Sequence, residues 1–370
     1  MRHLLITLFL FSAFLSFAQV EQKKEKERRV APAMNNVLRE EVTIDEVETV
    51  SKSKKSNSKK QLQIQTISAT ISATLSQASR MQTQRSFTDQ QKQTIQNKVA
   101  ELKAIDKHSF EFHLYDYLKT PYDFDNISSL KKAESMNAYD FTVLRLFAAY
   151  YHIQNDEAAL KQYLSKLNQG KYFRTELDLY AALTLESLPK GAVLITHGND
   201  DTYPLLIQQY IKNTRTDVEI ISLDHLLSEV YRNKLKNKGY KMPDREIVDT
   251  RFLSMFVSAN SNKKIVCANS IPKPYLTALK GDLNIVGFGY STSLNENNTK
   301  FYESQLKFRL IKMINANQRD LMANSLPILF DVRNDYIDKN KIEKRVEVEK
   351  YLRLIGEKLG RSSQINALLK

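Results

Sequence analysis

His197, Asn199, Asp200, Asp201 and Thr202 place an imidazole, an amide, two carboxylates and a hydroxyl within one short stretch, and Asp224 and His225 add a second acid beside a second imidazole. Two acids and a histidine can coordinate a divalent cation, hold the hydroxyls of a sugar, or act as general acid and base. The same side chains have a plainer use. A carboxylate at the start of a helix accepts bonds from its free amides and meets the positive end of its dipole. Capping is expected for at least one of Asp200 and Asp201, and a ligand contact for at least one of them, because two adjacent acids beside His197 exceed what a single cap needs.

These residues must be positioned by the elements around them. Ala192-Val193-Leu194-Ile195 is an uninterrupted apolar run that suits a strand buried on both faces, and the turn follows it directly. A helix is expected from Tyr203 to Lys212, a strand from Val218 to Leu223 and a helix from Asp224 to Lys236. Further strands are expected at Lys264 to Ala268 and Asn284 to Gly287, with a helix from Lys273 to Lys280 between them. Strands alternating with helices predict an α/β fold with a small parallel Rossmann-like sheet flanked by α-helices. In such sheets ligands sit beyond the carboxyl ends of the strands, where the 197–202 turn belongs. The turn has one glycine, Gly198, and the chain contains no Gly-Lys-Ser or Gly-Lys-Thr, so no nucleotide cofactor is indicated. No other cofactor and no metal is assigned.

The flanking regions divide by composition. Arg2 and His3 precede an apolar run from Leu4 to Phe17 that ends Ser16-Phe17-Ala18, the pattern of a cleavable Sec-type signal peptide over 1–18. No cysteine follows Ala18, so a lipid anchor is not indicated. Residues 19–104 read as a disordered or partly helical linker, charge-dense at first and then rich in Gln, Ser and Thr, with 61–96 either a linker or a helix that needs a partner. From 105 to 189 the apolar spacing becomes helical, as in Phe141, Leu144, Phe147, Ala148 and Tyr151, and the paired helices are tetratricopeptide-like. The α/β domain spans 190–295. C-terminal helices over 296–370 carry one stripe of Phe301, Leu306, Leu310 and Met313 and another of Val346, Val348, Tyr351, Leu352 and Ile355, both expected to dock on the α/β domain.

Two features bound the chemistry and the partners. The lone cysteine, Cys267, excludes an intramolecular disulfide, and in the run Ile265-Val266-Cys267-Ala268 it reads as a buried strand residue. The net charge of +13 is spread along the chain and not gathered beside aromatics, so no nucleic-acid partner is expected. A peripheral electrostatic contact with an anionic membrane is one account of the charge and solubility is another. The richest later apolar stretch, Leu144 to Ile153, holds Arg145 and His152, so no transmembrane segment is expected in the mature chain.

Leu194-Ile-Thr-His-Gly-Asn-Asp-Asp-Thr-Tyr-Pro-Leu205, with Thr214-Arg215-Thr216-Asp217-Val218 and Ile221-Ser-Leu-Asp-His-Leu226, resembles the extracytoplasmic soluble portion of the bacterial protein O-mannosyltransferase-like membrane proteins. The likeness runs from Leu177 to Tyr290 and takes in Val286-Gly-Phe-Gly-Tyr290. The chain departs from that pattern at His197, where the family tends to have Asn, and at Asn199-Asp200, which reverses its Asp-Asn order. The resemblance implies a domain beside a membrane-embedded sugar-transfer region that this chain lacks. The expectation is therefore a periplasmic or otherwise extracytoplasmic, noncatalytic envelope module that binds a protein or glycan partner. A periplasmic enzyme acting on glycan or phosphate esters through the 197–202 turn is the alternative. Protein recovered from the envelope fraction should begin at Gln19 or a nearby residue, and intact-mass measurement finding Met1 there would contradict the signal.

Overall fold

The protein is described by a computed structural model covering residues 44–370. The signal peptide and the start of the charged segment lie outside the described residues. The described chain forms two compact units. Residues 44–80 and 87–138 make the first, whereas Met81–Ser86 belong with Tyr139–Lys370.

The first unit is helical: α1 Ile44–Ser79, α2 Asp89–Asp106, α3 Phe110–Leu118 and α4 Ile127–Met136. Helix α2 starts at Thr88, whose hydroxyl accepts from the Gln91 amide while the Gln91 side chain accepts from the Thr88 amide. This reciprocal cap satisfies two amides that the helix itself leaves unpaired. Ile64, Ile67 and Ile71 of α1 are buried at helical spacing, as are Ile95, Val99 and Leu102 of α2. The two helices pack together, so the 61–96 stretch falls largely in a helix and the partner it needs.

The second unit opens with α5 Phe141–Gln154, α6 Glu157–Gln169 and α7 Thr175–Glu186. Asn155 ends α5 in the left-handed conformation, and the Asp156 carboxylate accepts from the Ala159 amide to start α6. Of the helices expected between 105 and 189, α3 and α4 thus lie in the first unit and α5 to α7 in the second.

The sheet follows. Strand β1 Val193–Thr196 leads through α8 Asn199–Tyr210 to β2 Glu219–Ser222, then α9 Glu229–Asn237 and α10 Thr250–Ala259 precede β3 Ile265–Ala268. Helix α11 Lys273–Thr277 connects to β4 Asn284–Val286 and β5 Gly289–Ser291. The spatial order is β2-β1-β3-β5-β4. β1 pairs in parallel with β2 and β3, and Leu194, Ile195 and Val266 are fully buried. Burial of such side chains stabilises by about 1.5–3 kcal/mol each.

The sheet is mixed, which corrects the expectation of a parallel one. β5 runs antiparallel to β3, and β4 antiparallel to β5. Gly287, at φ +58°, and the buried Phe288 turn the chain back on itself, so Asn284 to Val286 is the outer arm of a hairpin and not a fourth parallel strand. Asn298 fixes that hairpin from the side: its Oδ1 accepts from the Gly287 amide at 2.8 Å, and its Nδ2 donates to the Ile285 carbonyl at 2.8 Å and to Asp331 at 2.7 Å.

Two helices also differ from expectation. The helix predicted from Asp224 to Lys236 is instead a 3-10 turn at His225–Leu227 and then α9, because Ser228 adopts an extended backbone and its hydroxyl caps the Tyr231 amide. Helix α10 is additional to the expected elements: Asp249 caps it at Phe252, and Phe252, Leu253, Phe256 and Val257 are its buried face.

The C-terminal elements are α12 Asn298–Phe301, a π-turn at Tyr302–Leu306, α13 Lys307–Asn315, α14 Arg319–Asp338, α15 Ile342–Leu359 and α16 Ser362–Leu369. Leu306, Leu310 and Met313 are buried as their stripe predicts. Val346 is not: it is 52 % exposed, and the buried face of α15 runs through Val348, Leu352 and Ile355. Helix α14 packs on β4 and α7.

A methyl group at Gly287 would meet the Ser187 hydroxyl at 2.1 Å in a backbone region that side chains rarely adopt, whereas Gly191, at φ +70°, has open space around it. Gly191→Ala should cost about 1–2 kcal/mol from backbone strain alone. Gly287→Ala should cost about 1–3 kcal/mol more from overpacking, and denaturant titration of both variants measures the difference.

Candidate functional site

β1 lies between β2 and β3, and the chain leaves it for β2 on one side before returning to β3 on the other. Its carboxyl end is therefore the point at which strand order reverses, the usual place for a ligand in an open α/β sheet. His197 and Gly198 occupy that point. Gly198, at φ +79°, is the N-cap of α8, and no side chain caps the helix there.

The expected cap by Asp200 or Asp201 takes a different form. Asp201, in the first turn of α8, reaches back past the cap: its Oδ2 accepts from the His197 amide at 3.0 Å and from the Ser270 hydroxyl at 2.6 Å. Asp224 arrives from beyond β2, and its Oδ2 accepts from the Gly198 amide at 2.9 Å. The amides just ahead of α8 are thus satisfied by two carboxylates from different strand ends.

Asp224 has a further partner that the sequence did not reveal. Arg85 donates to Oδ1 through Nε at 2.8 Å and through Nη2 at 2.6 Å. The short Met81–Ser86 segment is itself held against the start of α10, with the Arg85 amide donating to the Val248 carbonyl at 2.8 Å and the Thr250 amide to the Thr83 carbonyl at 3.1 Å. Burial alone would raise the Asp224 pKa. The Arg85 charge and the hydrogen bonds outweigh it and hold the carboxyl at about 2. Among the described residues Asp201 has no cation partner, and burial pushes it up to about 6 against the opposing bonds from Ser270 and His197.

The other candidates divide between framework and surface. Thr202 is buried, and its hydroxyl lies 2.8 Å from that of Thr196 and 3.4 Å from that of Ser222, joining α8 to β1 and β2. Asn199 is exposed and accepts from Arg145 of α5 at 2.8 Å, and Asp200 is exposed beside it. Burial, then the charge of Arg85, lowers the His197 imidazole to about 4, so it is neutral at physiological pH. The buried His197 Nε2, Asp201 Oδ1 and Asn269 Oδ1 have no hydrogen-bond partner. All belong to residues in the first turns beyond β1 or β3, the edge where a ligand would approach.

His225 turns away from this edge. Its Nδ1 lies 3.1 Å from Nδ1 of His152, with both rings buried and both pKa values lowered by burial. One Nδ1 must donate and the other accept, which makes the pair an internal staple of two neutral rings. Arg215 and Asp217 are likewise structural. The Arg215 guanidinium pairs with both oxygens of Asp217 and donates to the carbonyls of Leu185, Leu188 and Pro189 at the end of α7. Cys267 is buried in β3, and burial pushes its thiol up to about 12. Among the described residues no group of three or more His, Cys, Asp or Glu side chains could hold a metal ion, and no helix is long and apolar enough to cross a membrane.

The two carboxylates predict opposite responses to the same substitution. Asp201 has a folded pKa above the ordinary 3.8, so its ionisation opposes folding: the cost is full above about pH 6 and vanishes as pH falls below the ordinary value. Asp201→Asn should stabilise by up to about 3 kcal/mol at pH 7.5 and by about 1 kcal/mol at pH 4.5. Asp224, with its lowered pKa, contributes stability that is present above the ordinary value and lost as pH falls through about 2. Asp224→Asn should cost about 3–5 kcal/mol at pH 7.5, since it leaves Arg85 buried without a counter-charge. Thermal melts of both variants at the two pH values check the assignment, and loss of stability in both at pH 7.5 would refute it.

No curated protein and no solved structure matches the chain. The family model of TMEM260-associated domain 2 matches residues 178–353, from α7 through the whole sheet and into α15, so the segment that carries the turn, the hairpin and most of the C-terminal helices is similar to that domain.

Proposed function

We propose that the chain is an exported, noncatalytic envelope module that binds a protein or glycan partner, accessory to a glycan-transfer or envelope-assembly system. One observation carries this reading: the carboxylates that could have served as acid and base are committed to the turn itself, Asp224 to Arg85 and the Gly198 amide, Asp201 to the His197 amide and Ser270. A turn held in this way is a rigid edge that presents Asn199 and Asp200 to a partner. The match over residues 178–353 supports the association with glycan transfer, because the TMEM260 family is related to O-mannosyltransferases.

A second reading, hydrolysis of glycan or phosphate esters, is favoured by one feature. Asp201 has a raised pKa and a buried Oδ1 without a partner, as a general acid does. The two readings part on a single variant each. Asp200→Asn should leave the melting temperature unchanged and lower recovery of the native envelope partner on immobilised protein about tenfold, while the wild-type chain releases no product from nitrophenyl glycosides or nitrophenyl phosphate. Undiminished recovery with Asp200→Asn would overturn the turn as the binding edge. Turnover that disappears in Asp201→Asn would replace the binding module with the hydrolase.

A further inference from the structure

A cavity of about 390 Å³ opens at the other end of the sheet, over the amino end of the edge strand β2. Its walls come from the end of α5, the start of α6, the end of α8, the loop into β2 with the first residues of that strand, and α9. The volume lies near the lower end of the range for small-molecule sites, roughly 300–1,000 Å³, so it suits a ligand the size of one ring.

The charges in its wall do not balance locally. Lys161 is paired with Glu157 at 2.6 Å, and Lys238 with Glu219 at 2.7 Å. Glu219 also accepts from the Tyr240 hydroxyl at 2.6 Å, and Asp217 is occupied by Arg215 and the Gly191 amide. Among the described residues Lys234 has no carboxylate partner. Its Nζ donates to the His152 carbonyl at 2.6 Å and stands 5.7 Å from the centre of the Tyr231 ring. Burial, then the like charge of Lys238, lowers its pKa to about 8, so it is still mostly cationic at neutral pH. A half-buried ammonium anchored by one carbonyl retains protons for an incoming anion. Around it Asn155 and Asn213 supply amide groups and Tyr210 a phenol, a set of neutral donors and acceptors suited to hydroxyls.

We propose that this cavity binds a small polyhydroxylated anion, a monosaccharide bearing a carboxylate or a phosphate, with its acidic group on Lys234. The site deepens the glycan side of the proposed function and rests on that reading, but it lies at the opposite end of the sheet from the β1 turn. The two can therefore fail separately.

Titration calorimetry on the full chain with glucuronate, glucose 6-phosphate, glucose and inorganic phosphate tests it. At least one of the two acidic sugars should bind with Kd below about 1 mM, glucose and phosphate at least tenfold more weakly. Whichever acidic sugar binds identifies the acidic group. Lys234→Gln should weaken that binding tenfold or more, Lys234→Arg should restore it, and Asp200→Asn should leave it unchanged. Affinity should also fall between pH 7 and pH 9 as Lys234 loses its proton. No binding of either acidic sugar at about 10 mM, far above the expected Kd, or full binding by Lys234→Gln, overturns the site. Inorganic phosphate binding as tightly as glucose 6-phosphate reduces it to an anion hole and overturns the sugar. Loss of sugar with partner recovery intact in Lys234→Gln separates this site from the turn.

Discussion

The Asp224 carboxylate is the interaction on which the carboxyl edge of the sheet depends. One oxygen neutralises Arg85 and the other accepts the Gly198 amide, so a single side chain joins the end of β2, the turn after β1 and the Met81–Ser86 segment. Both charges are almost out of solvent, where an unpaired ion costs several kcal/mol, and neither would be tolerated without the other. The positive φ of Gly198 follows from this arrangement: the turn must present its amide to Asp224 and then enter α8 at once. Residues with side chains adopt that conformation with difficulty.

With Arg85 committed to Asp224, the second carboxylate is left without a cation. Asp201 receives two hydrogen bonds through one oxygen and none through the other, and its proton affinity rises while that of Asp224 falls. Two acids of ordinary type thus acquire different properties from their neighbours alone. The same principle acts at the far end of β2. There Lys161 and Lys238 are matched by glutamates, whereas among the described residues Lys234 is held by the His152 carbonyl alone.

The stretches that look most like motifs are largely framework. Arg215 and Asp217 staple the end of α7 to the approach to β1 and β2. Thr202 joins α8 to the sheet, and His225 is locked against His152. Chemistry-bearing residue types therefore serve the framework, while Asn199 and Asp200 are exposed at one end of the sheet and Lys234 is half-buried at the other.

The amino-acid sequence alone determined the three parallel strands, because Val193–Ile195, Ile220–Ile221 and Ile265–Ala268 are apolar runs that can only be buried on both faces. It also determined the helical spacing of Phe141, Leu144, Phe147, Ala148 and Tyr151, since periodicity is written within a few residues, whereas the turn expected over 197–202 is shorter because Asn199 to Thr202 already form the first turn of α8. Tertiary structure decided the rest. The hairpin of β4 and β5 rests on Asn298 and on the close approach of Gly289 to the Cys267 carbonyl, neither of which has a local signature. The roles of Asp201 and Asp224 depend on where Arg85 comes to lie, and Arg85 is 139 residues from its partner in a stretch whose composition reads as linker. Local spacing encodes which face is buried. The protonation of a buried group depends on which distant charge folding brings beside it.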